Sequence, residues 1–315
     1  MKKYLLATSI LAGLGFVAPA MTQTKPTISV IVKDTTSVYW QTVLAGARKA
    51  GQDLGANVAA LGAQTETDVP GQIDLLKKAA DSHPAAIVIA PAQSGALGTP
   101  IEEAAKLVKI IVAIDSTTNT KALTSSVTTD EVQAGRVAAD TLAEAITKTY
   151  ADTEGDVAII TASPGASVVG FREQVGKKYR ALNVLPDQVA ESQAANGANI
   201  IKDLVAGDRD LRGVFVSNAL LAEGASQVAY NKSGDSIQYV VLGADDKLLK
   251  SVQDGTVAAP LVRDPFRIGY EGVKTALAAA KGEQVPPTID IGTSVITKAN
   301  MSSARSQQLL NPKID

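Results

Sequence analysis

Ile237-Gln238-Tyr239-Val240-Val241-Leu242-Gly243-Ala244-Asp245-Asp246 is an apolar run that ends on two carboxylates. Such a run reads as a buried strand that delivers acids into a cleft. The arrangement recurs along the chain. Ile110 to Ile114 ends in Asp115-Ser116, Ala86 to Ala90 in Pro91, Gly213 to Val216 in Ser217-Asn218, and Val257 to Val262 in Arg263-Asp264. In open α/β sheets ligands bind outside the carboxyl ends of the strands. The tips are therefore expected to converge on one site for a polyhydroxy ligand.

Between these strands the apolar spacing turns helical. Thr27 to Lys33 reads as a strand, Trp40 to Leu54 as a helix, Val58 to Leu61 as a strand and Val69 to Ala80 as a helix. The alternation continues through a helix over Gly95 to Leu107, and Asp130 to Ile146 is a longer Ala-rich helix. The polar stretch Thr147 to Gly155 then separates it from a second run of the same grammar. That second run has strands at Val157 to Ala162, Gln188 to Ser192 and Gly213 to Val216, with helices around Arg172 to Leu182, Ala198 to Ala206 and Leu220 to Tyr230. Pro265 to Ala280 is a further helix, and Ile289 to Ile296 is a last β-rich segment before a polar tail. Alternating strands and helices imply parallel sheets with helices on both faces. The expected fold class is α/β, with two doubly wound parallel-sheet lobes and several chain crossings between them. A chain of 315 residues is long enough for two cores.

Lys2-Lys3, the apolar run Tyr4 to Val17 and Ala18-Pro19-Ala20 read as a secretory leader cleaved before Met21. The run is shorter than the roughly 20 residues needed to span a bilayer. The sequence has no cysteine, so no disulfide framework and no lipid-modified cysteine after the leader is expected. A freely diffusing, monomeric periplasmic protein follows. A net charge of -2 with interspersed signs and no basic stripe argues against a nucleic-acid partner.

The composition also limits the chemistry. His83 is the single histidine, and with no cysteine the common zinc sites and the Ser-His and Cys-His nucleophilic arrangements lack their parts. No metal and no cofactor is expected. Gly165 to Gly170 (GASVVG) lacks both the dinucleotide glycine pattern and the phosphate-loop lysine, and reads as a tight strand-to-helix turn. Asp115 and Asp245 form a formal acid/base pair for an exported carbohydrate-active enzyme, but nothing in the sequence raises either pKa.

Tyr39-Trp40 stands out because Trp40 is the single tryptophan and the pair follows the first strand. Aromatic faces suit the C–H face of a sugar, while carboxylates, amides and guanidiniums satisfy its hydroxyls. The alternatives are core packing for the aromatics and helix N-capping for Asp115, Asn218 and Asp245. With Arg172 and Arg263 the acids make a near-neutral set, which favours an uncharged sugar or polyol.

At these residues the chain resembles the periplasmic sugar-binding proteins of ABC importers. It is similar to the ribose-binding-like group, which shares its fold with LacI-type repressor ligand domains, from about Thr27 to about Ile296. The pieces that carry the resemblance are Thr35-Thr36-Ser37-Val38-Tyr39-Trp40 with Gly46-Ala47, Glu66-Thr67-Asp68 through Gln72, Ala86 to Pro91, Ile114-Asp115-Ser116, Thr129-Asp130, and Asp264-Pro265 through Ile268-Gly269-Tyr270. The resemblance implies a type I periplasmic binding protein fold, whose two lobes are joined by a three-segment hinge. The expected division is a leader at 1–20, a first lobe of 21–130 plus 264–288, and a second of 131–263 plus 289–315.

The same resemblance assigns ligand contacts to Tyr39, Trp40, Asp115, Arg172, Asn218, Asp245 and Arg263. It implies capture of a small sugar or polyol and delivery to a membrane permease, with a chemoreceptor as a further partner. A receptor for a sugar-like signalling molecule is the variant of that reading. Three positions depart from the ribose-binding pattern: Arg263 replaces a glutamine, Ala219 follows Asn218 where an acid is common, and the spacing from Arg172 to Gly176 is one residue longer. A repressor would carry a DNA-binding helix-turn-helix where this chain has its leader.

Overall fold

The computed structural model describes residues 25–207 and 210–312. The leader expected at 1–20 lies outside them. In chain order, β1 (Thr27–Val32), α1 (Val38–Leu54), β2 (Asn57–Gly62), α2 (Val69–Asp81), β3 (Ala86–Ile89), α3 (Ser94–Ala105), β4 (Ile111–Asp115) and β5 (Ser125–Thr128) come first. Next are α4 (Glu131–Tyr150), β6 (Gly155–Thr161), α5 (Ala166–Lys178), β7 (Leu182–Val184), β8 (Gln188–Val189), α6 (Ala194–Gly207), β9 (Leu211–Val216) and α7 (Ala219–Ala225). Last come β10 (Gln238–Leu242), α8 (Asp246–Asp254), β11 (Ala259–Val262), α9 (Pro265–Ala280), β12 (Thr288–Asp290), β13 (Ser294–Val295) and α10 (Ala304–Leu310).

The strands form two sheets. The first has the order β2-β1-β3-β4-β5-β12, and all its pairs are parallel. The second has the order β7-β6-β9-β10-β11-β13, with β8 also on β6 and β13 antiparallel. Each sheet therefore winds outward from its first strand, with a topological switch between β1 and β3 and between β6 and β9. Ligands of doubly wound sheets sit at such switches.

Strands buried on both faces read as continuous apolar runs because helices cover each side. Ile28, Val30 and Val32 of β1 face α1 and α9, whereas Ile31 packs with α2 and α3. In the second sheet Val157 and Ile159 face α4 and α5, while Ala158 and Ile160 pack with the opposite cluster.

Three helix pairs approach so closely that glycine is required at the crossings. Built Cβ atoms at Gly46 and Gly269 would lie 1.9 Å from the carbonyl oxygens of Phe266 and Val43, which clasps α1 to α9. Gly135 and Gly170 clasp α4 to α5 in the same reciprocal way, at 1.9 Å from Ser167 O and Val132 O. Gly197 and Gly224 do so for α6 and α7.

The chain passes between the sheets at 129–130, at 263–264 and at 291–293. α4 packs on β9, β10 and β11, so the polar stretch at 147–155 connects two elements of the second sheet and is no boundary between units. β12 pairs with β5, which places Ile289 and Asp290 in the first sheet, whereas the expected division put them with the second lobe. The short β5, β7, α8 and α10 were not expected, and α7 ends at Ala225, short of Tyr230.

Gly170→Ala tests the clasp. Forcing α4 and α5 apart should destabilise the protein by about 1–3 kcal/mol, the usual cost of overpacking. Urea unfolding monitored by circular dichroism reads it, and an unchanged midpoint would show that the helices shift freely.

Candidate ligand-binding site

The carboxyl ends of both sheets wall a cavity of about 640 Å³. Val38, Tyr39 and Thr42 line it from the first-sheet side. Thr161 to Ser163, Ser217, Asn218, Leu242 to Ala244 and Arg263 line it from the second, with Glu131 at the start of α4. Ser37 caps α1 through its side chain and turns Val38 and Tyr39 toward this space.

Asp115 organises the first-sheet wall. It ends β4 with φ 60°, a left-handed conformation that Asp tolerates better than most residues. Tyr39 donates its hydroxyl to Asp115 Oδ1 at 2.6 Å. Lys33 Nζ donates to Asp115 Oδ2 at 3.0 Å and to Ser116 Oγ at 2.8 Å, and the Ser116 hydroxyl bonds Asp115 Oδ2 at 3.0 Å. Burial alone would raise the Asp115 pKa, but the Lys33 charge and these donors outweigh it and hold the carboxyl below its ordinary range. Burial and then the Asp115 charge push the Tyr39 phenol far above its ordinary value, so it stays a neutral donor.

Trp40 is not on the cavity wall. It is 2% exposed in the core beneath α1, where its indole N–H donates to Glu66 Oε1 at 2.7 Å. Its ring meets Tyr39 edge-on at 4.9 Å and lies 5.3 Å from the Lys33 ammonium. The helical turn that presents Tyr39 to the cavity points the next residue inward, so Trp40 packs behind Tyr39.

On the second-sheet wall Asn218 Oδ1 accepts from Leu221 N at 3.1 Å and caps α7, and its amide N–H groups have no partner among the described residues. Ser217 Oγ bonds Thr161 Oγ1 at 2.7 Å, which fixes two hydroxyl-bearing strand ends side by side. Asp245 caps α8 by accepting from Leu248 N at 2.8 Å, and its neighbour Ala244 lines the cavity instead. Arg172 also lies off the cavity wall. It donates to Asp187 Oδ1 at 3.1 Å and to Leu185 O at 2.8 Å, which ties α5 to the segment between β7 and β8. Arg263 pairs with Glu131, and both line the cavity. Burial disfavours the Arg263 charge, but Glu131 more than compensates and raises its pKa.

The structure thus brings Tyr39, Asn218 and Arg263 to one cavity, with Asp115 bonded to Tyr39, and leaves Trp40, Arg172 and Asp245 with other partners. The expected balance of Asp115 and Asp245 against Arg172 and Arg263 is not the pairing present: Lys33 pairs with Asp115, and Arg263 with Glu131. Ser217 is one of the strand tips expected to converge, whereas Lys33, Glu131 and Thr161 were not singled out from the sequence. Lys33 follows β1 directly, so the same strand-end rule could have found it. The described residues contain no cluster of three or more His, Cys, Asp or Glu side chains able to hold a metal ion.

Residues 28–284 match the periplasmic binding protein domain family. Among curated relatives, the chain is 25% identical over 300 residues to the ribose import binding protein RbsB of Escherichia coli K12, covering 95% of this chain and 99% of that protein. It is 26% identical to the D-allose-binding periplasmic protein of the same strain, over 82% of this chain and 86% of that protein. A carbohydrate transporter solute-binding protein from Agrobacterium radiobacter, solved in complex with D-arabinose, is 49% identical. It covers 92% of this chain and 100% of its own, with a TM-score of 0.71.

Because the folded Asp115 pKa lies below the unfolded value, its stabilising contribution is full above about pH 4, the unfolded value for Asp, and is lost as pH falls toward the folded value. Asn accepts the left-handed conformation, so Asp115→Asn should lower stability at pH 7 by about 1.5–3 kcal/mol, the scale of hydrogen bonds to a charged group. Unfolding curves of both proteins from pH 7 to pH 3 should show a constant gap that narrows below pH 4. A gap that widens toward acid would reverse the assignment.

Proposed function

The chain belongs to the periplasmic binding protein family, and from that premise we propose that it captures a neutral monosaccharide between two lobes and presents it to an ABC import permease. D-arabinose is the first candidate, because the relative with 49% identity was solved with that sugar. The observation that carries the reading is the charge at the cleft: Arg263 and Glu131, which line it, neutralise each other, and behind Tyr39 Lys33 neutralises Asp115, so an uncharged ligand is favoured over an acid. Tyr39 offers an aromatic ring, and Asp115, Asn218, Arg263, Thr161 and Ser217 offer the donors and acceptors that hydroxyls need.

The proposed lobes follow the sheets, with a first lobe of 21–130 plus 264–290 and a second of 131–263 plus 291–315. A ligand that contacts both walls shifts the population toward the closed arrangement, which is the form a permease reads. The periplasm is the proposed location, with the leader removed near Ala20, and the protein acts as a monomer.

Binding without turnover is favoured over hydrolysis by the same geometry. A general acid needs a raised pKa, whereas Asp115 is held low by Lys33, Tyr39 and Ser116, and Asp245 is engaged as a helix cap.

Isothermal titration with D-arabinose should give saturable one-to-one binding and unchanged sugar on recovery. D-arabinonate should bind more weakly. Arg263→Gln should raise the Kd for D-arabinose by about tenfold, or ~1.4 kcal/mol. Tighter binding of the sugar acid to the parent protein would overturn the neutral-ligand assignment, and sugar consumption would overturn the receptor assignment.

A further inference from the structure

The segment that follows β13 supplies part of the cavity wall. Leu309 and Leu310 at the end of α10, and Pro312 just beyond it, line the cavity. None of these three side chains carries a hydrogen-bond donor or acceptor. The polar groups of the cavity come from other elements, among them Tyr39, Glu131, Thr161, Ser217, Asn218 and Arg263.

This wall is fixed in place. Met301 and Leu309 are buried in the second-sheet core with Leu248, Val252 and Ile296. Ser303 caps α10, Gln307 Nε2 donates to Met301 O at 2.8 Å, and Arg305 pairs with the buried Asp264 at the start of α9. Leu310 packs against the same core but is only half-buried, so a change there alters the cavity surface at less cost to the fold than a change at Leu309. Pro312 also lines a second cavity of about 540 Å³ with Phe266, Gln307 and Asn311, which makes the tail a partition between two spaces.

A sugar ring is not uniform around its edge. An aldopentose in pyranose form carries hydroxyls from C1 to C4 and none at C5. A buried hydroxyl without a partner costs free energy, so each hydroxylated edge belongs against donors and acceptors. The C5 edge is the one that matches a wall with neither. A cavity of about 640 Å³ lies within the range that holds drug-sized ligands, so one more carbon at C5 also fits.

We propose that Leu310 and Pro312 determine specificity by facing the C5 edge of the sugar, so that the site takes an aldopentopyranose or its 6-deoxyhexose homologue and disfavours the corresponding hexose. A methyl group at C5 gains apolar contact with the tail. A hydroxymethyl group places a hydroxyl where the tail side chains offer it no partner. An apolar pocket rejects an added hydroxyl by up to about a hundredfold.

The inference rests on the sugar reading proposed above, and the experiment tells their failures apart. D-arabinose, L-fucose and L-galactose share their configuration at C2 to C4 and, as pyranoses, carry hydrogen, methyl and hydroxymethyl at C5. Isothermal titration of the parent protein should give L-fucose a Kd no higher than that of D-arabinose, and L-galactose a Kd at least about tenfold above that of L-fucose. In Leu310→Gln, whose amide can answer the extra hydroxyl, the ratio of the L-galactose Kd to the L-fucose Kd should fall several-fold, and Pro312→Ser should move it the same way. A purely structural tail would weaken all three sugars alike and leave that ratio unchanged, which overturns the proposal. A parent that binds D-arabinose but holds L-fucose more weakly, or L-galactose as tightly as L-fucose, also overturns it and leaves the sugar reading standing. Failure of all three sugars to bind overturns the sugar reading and this inference with it.

Discussion

The carboxylate of Asp290 ties two of the three passages between the sheets. Its Oδ1 accepts from the backbone N–H of Asp130 at 2.9 Å and of Gly292 at 2.8 Å. Backbone groups in a passage between sheets have neither ladder nor helix to satisfy them, and a carboxylate supplies a strong acceptor. The Arg267 bond to Ile291 O adds the third passage to the same knot. With the passages held together, the carboxyl ends of two separate sheets face one cavity. The α1–α9 clasp completes this, since it returns residues 265–280 to the sheet that the chain left at residue 130.

The charges respect that division. Lys33, Asp115 and Tyr39 all belong to the first-sheet wall, while Arg263 and Glu131 end β11 and begin α4 on the second. Neither ion pair spans the cleft. The walls can separate without pulling opposite charges apart, an electrostatic cost that would otherwise oppose opening. Each ion pair is balanced within its own sheet, so the two pairs together carry no net charge.

The alternation of strands and helices was legible because these strands are buried on both faces and so appear as uninterrupted Ile and Val runs. β5 was missed for the opposite reason: in Ser125-Ser126-Val127-Thr128 a single apolar residue carries it, and its pairing with β4 and β12 is tertiary. α8 is hidden because its N-cap is an acid at a strand end, which a strand-end reading assigns to a ligand rather than to a helix. Strand ends pointed to the cavity, which Tyr39, Asn218 and Arg263 line, with Asp115 bonded to Tyr39. They could not show that Arg172 turns to Asp187, 15 residues away, or that Trp40 turns inward to Glu66. Those partners depend on packing that no local pattern records.

Asp115 differs from the other strand-end polar residues in what its side chain is committed to. β9 and β10 each lead directly into a helix, and Asn218 and Asp245 adopt the extended backbone of an N-cap, with a side-chain oxygen committed to the helix. β4 leads through a loop to β5, so no helix N-terminus competes for Asp115. Its backbone is left-handed, and its oxygens are oriented by Tyr39, Lys33 and Ser116, all side chains at the rim of the same wall. Asn218 lines the cavity, and an amide that caps through its oxygen still has two N–H donors. Asp245 caps α8 through Oδ1, and its neighbour Ala244 lines the cavity. Which element follows the strand therefore decides which tip side chains are committed to a helix N-terminus and which are left for side-chain partners.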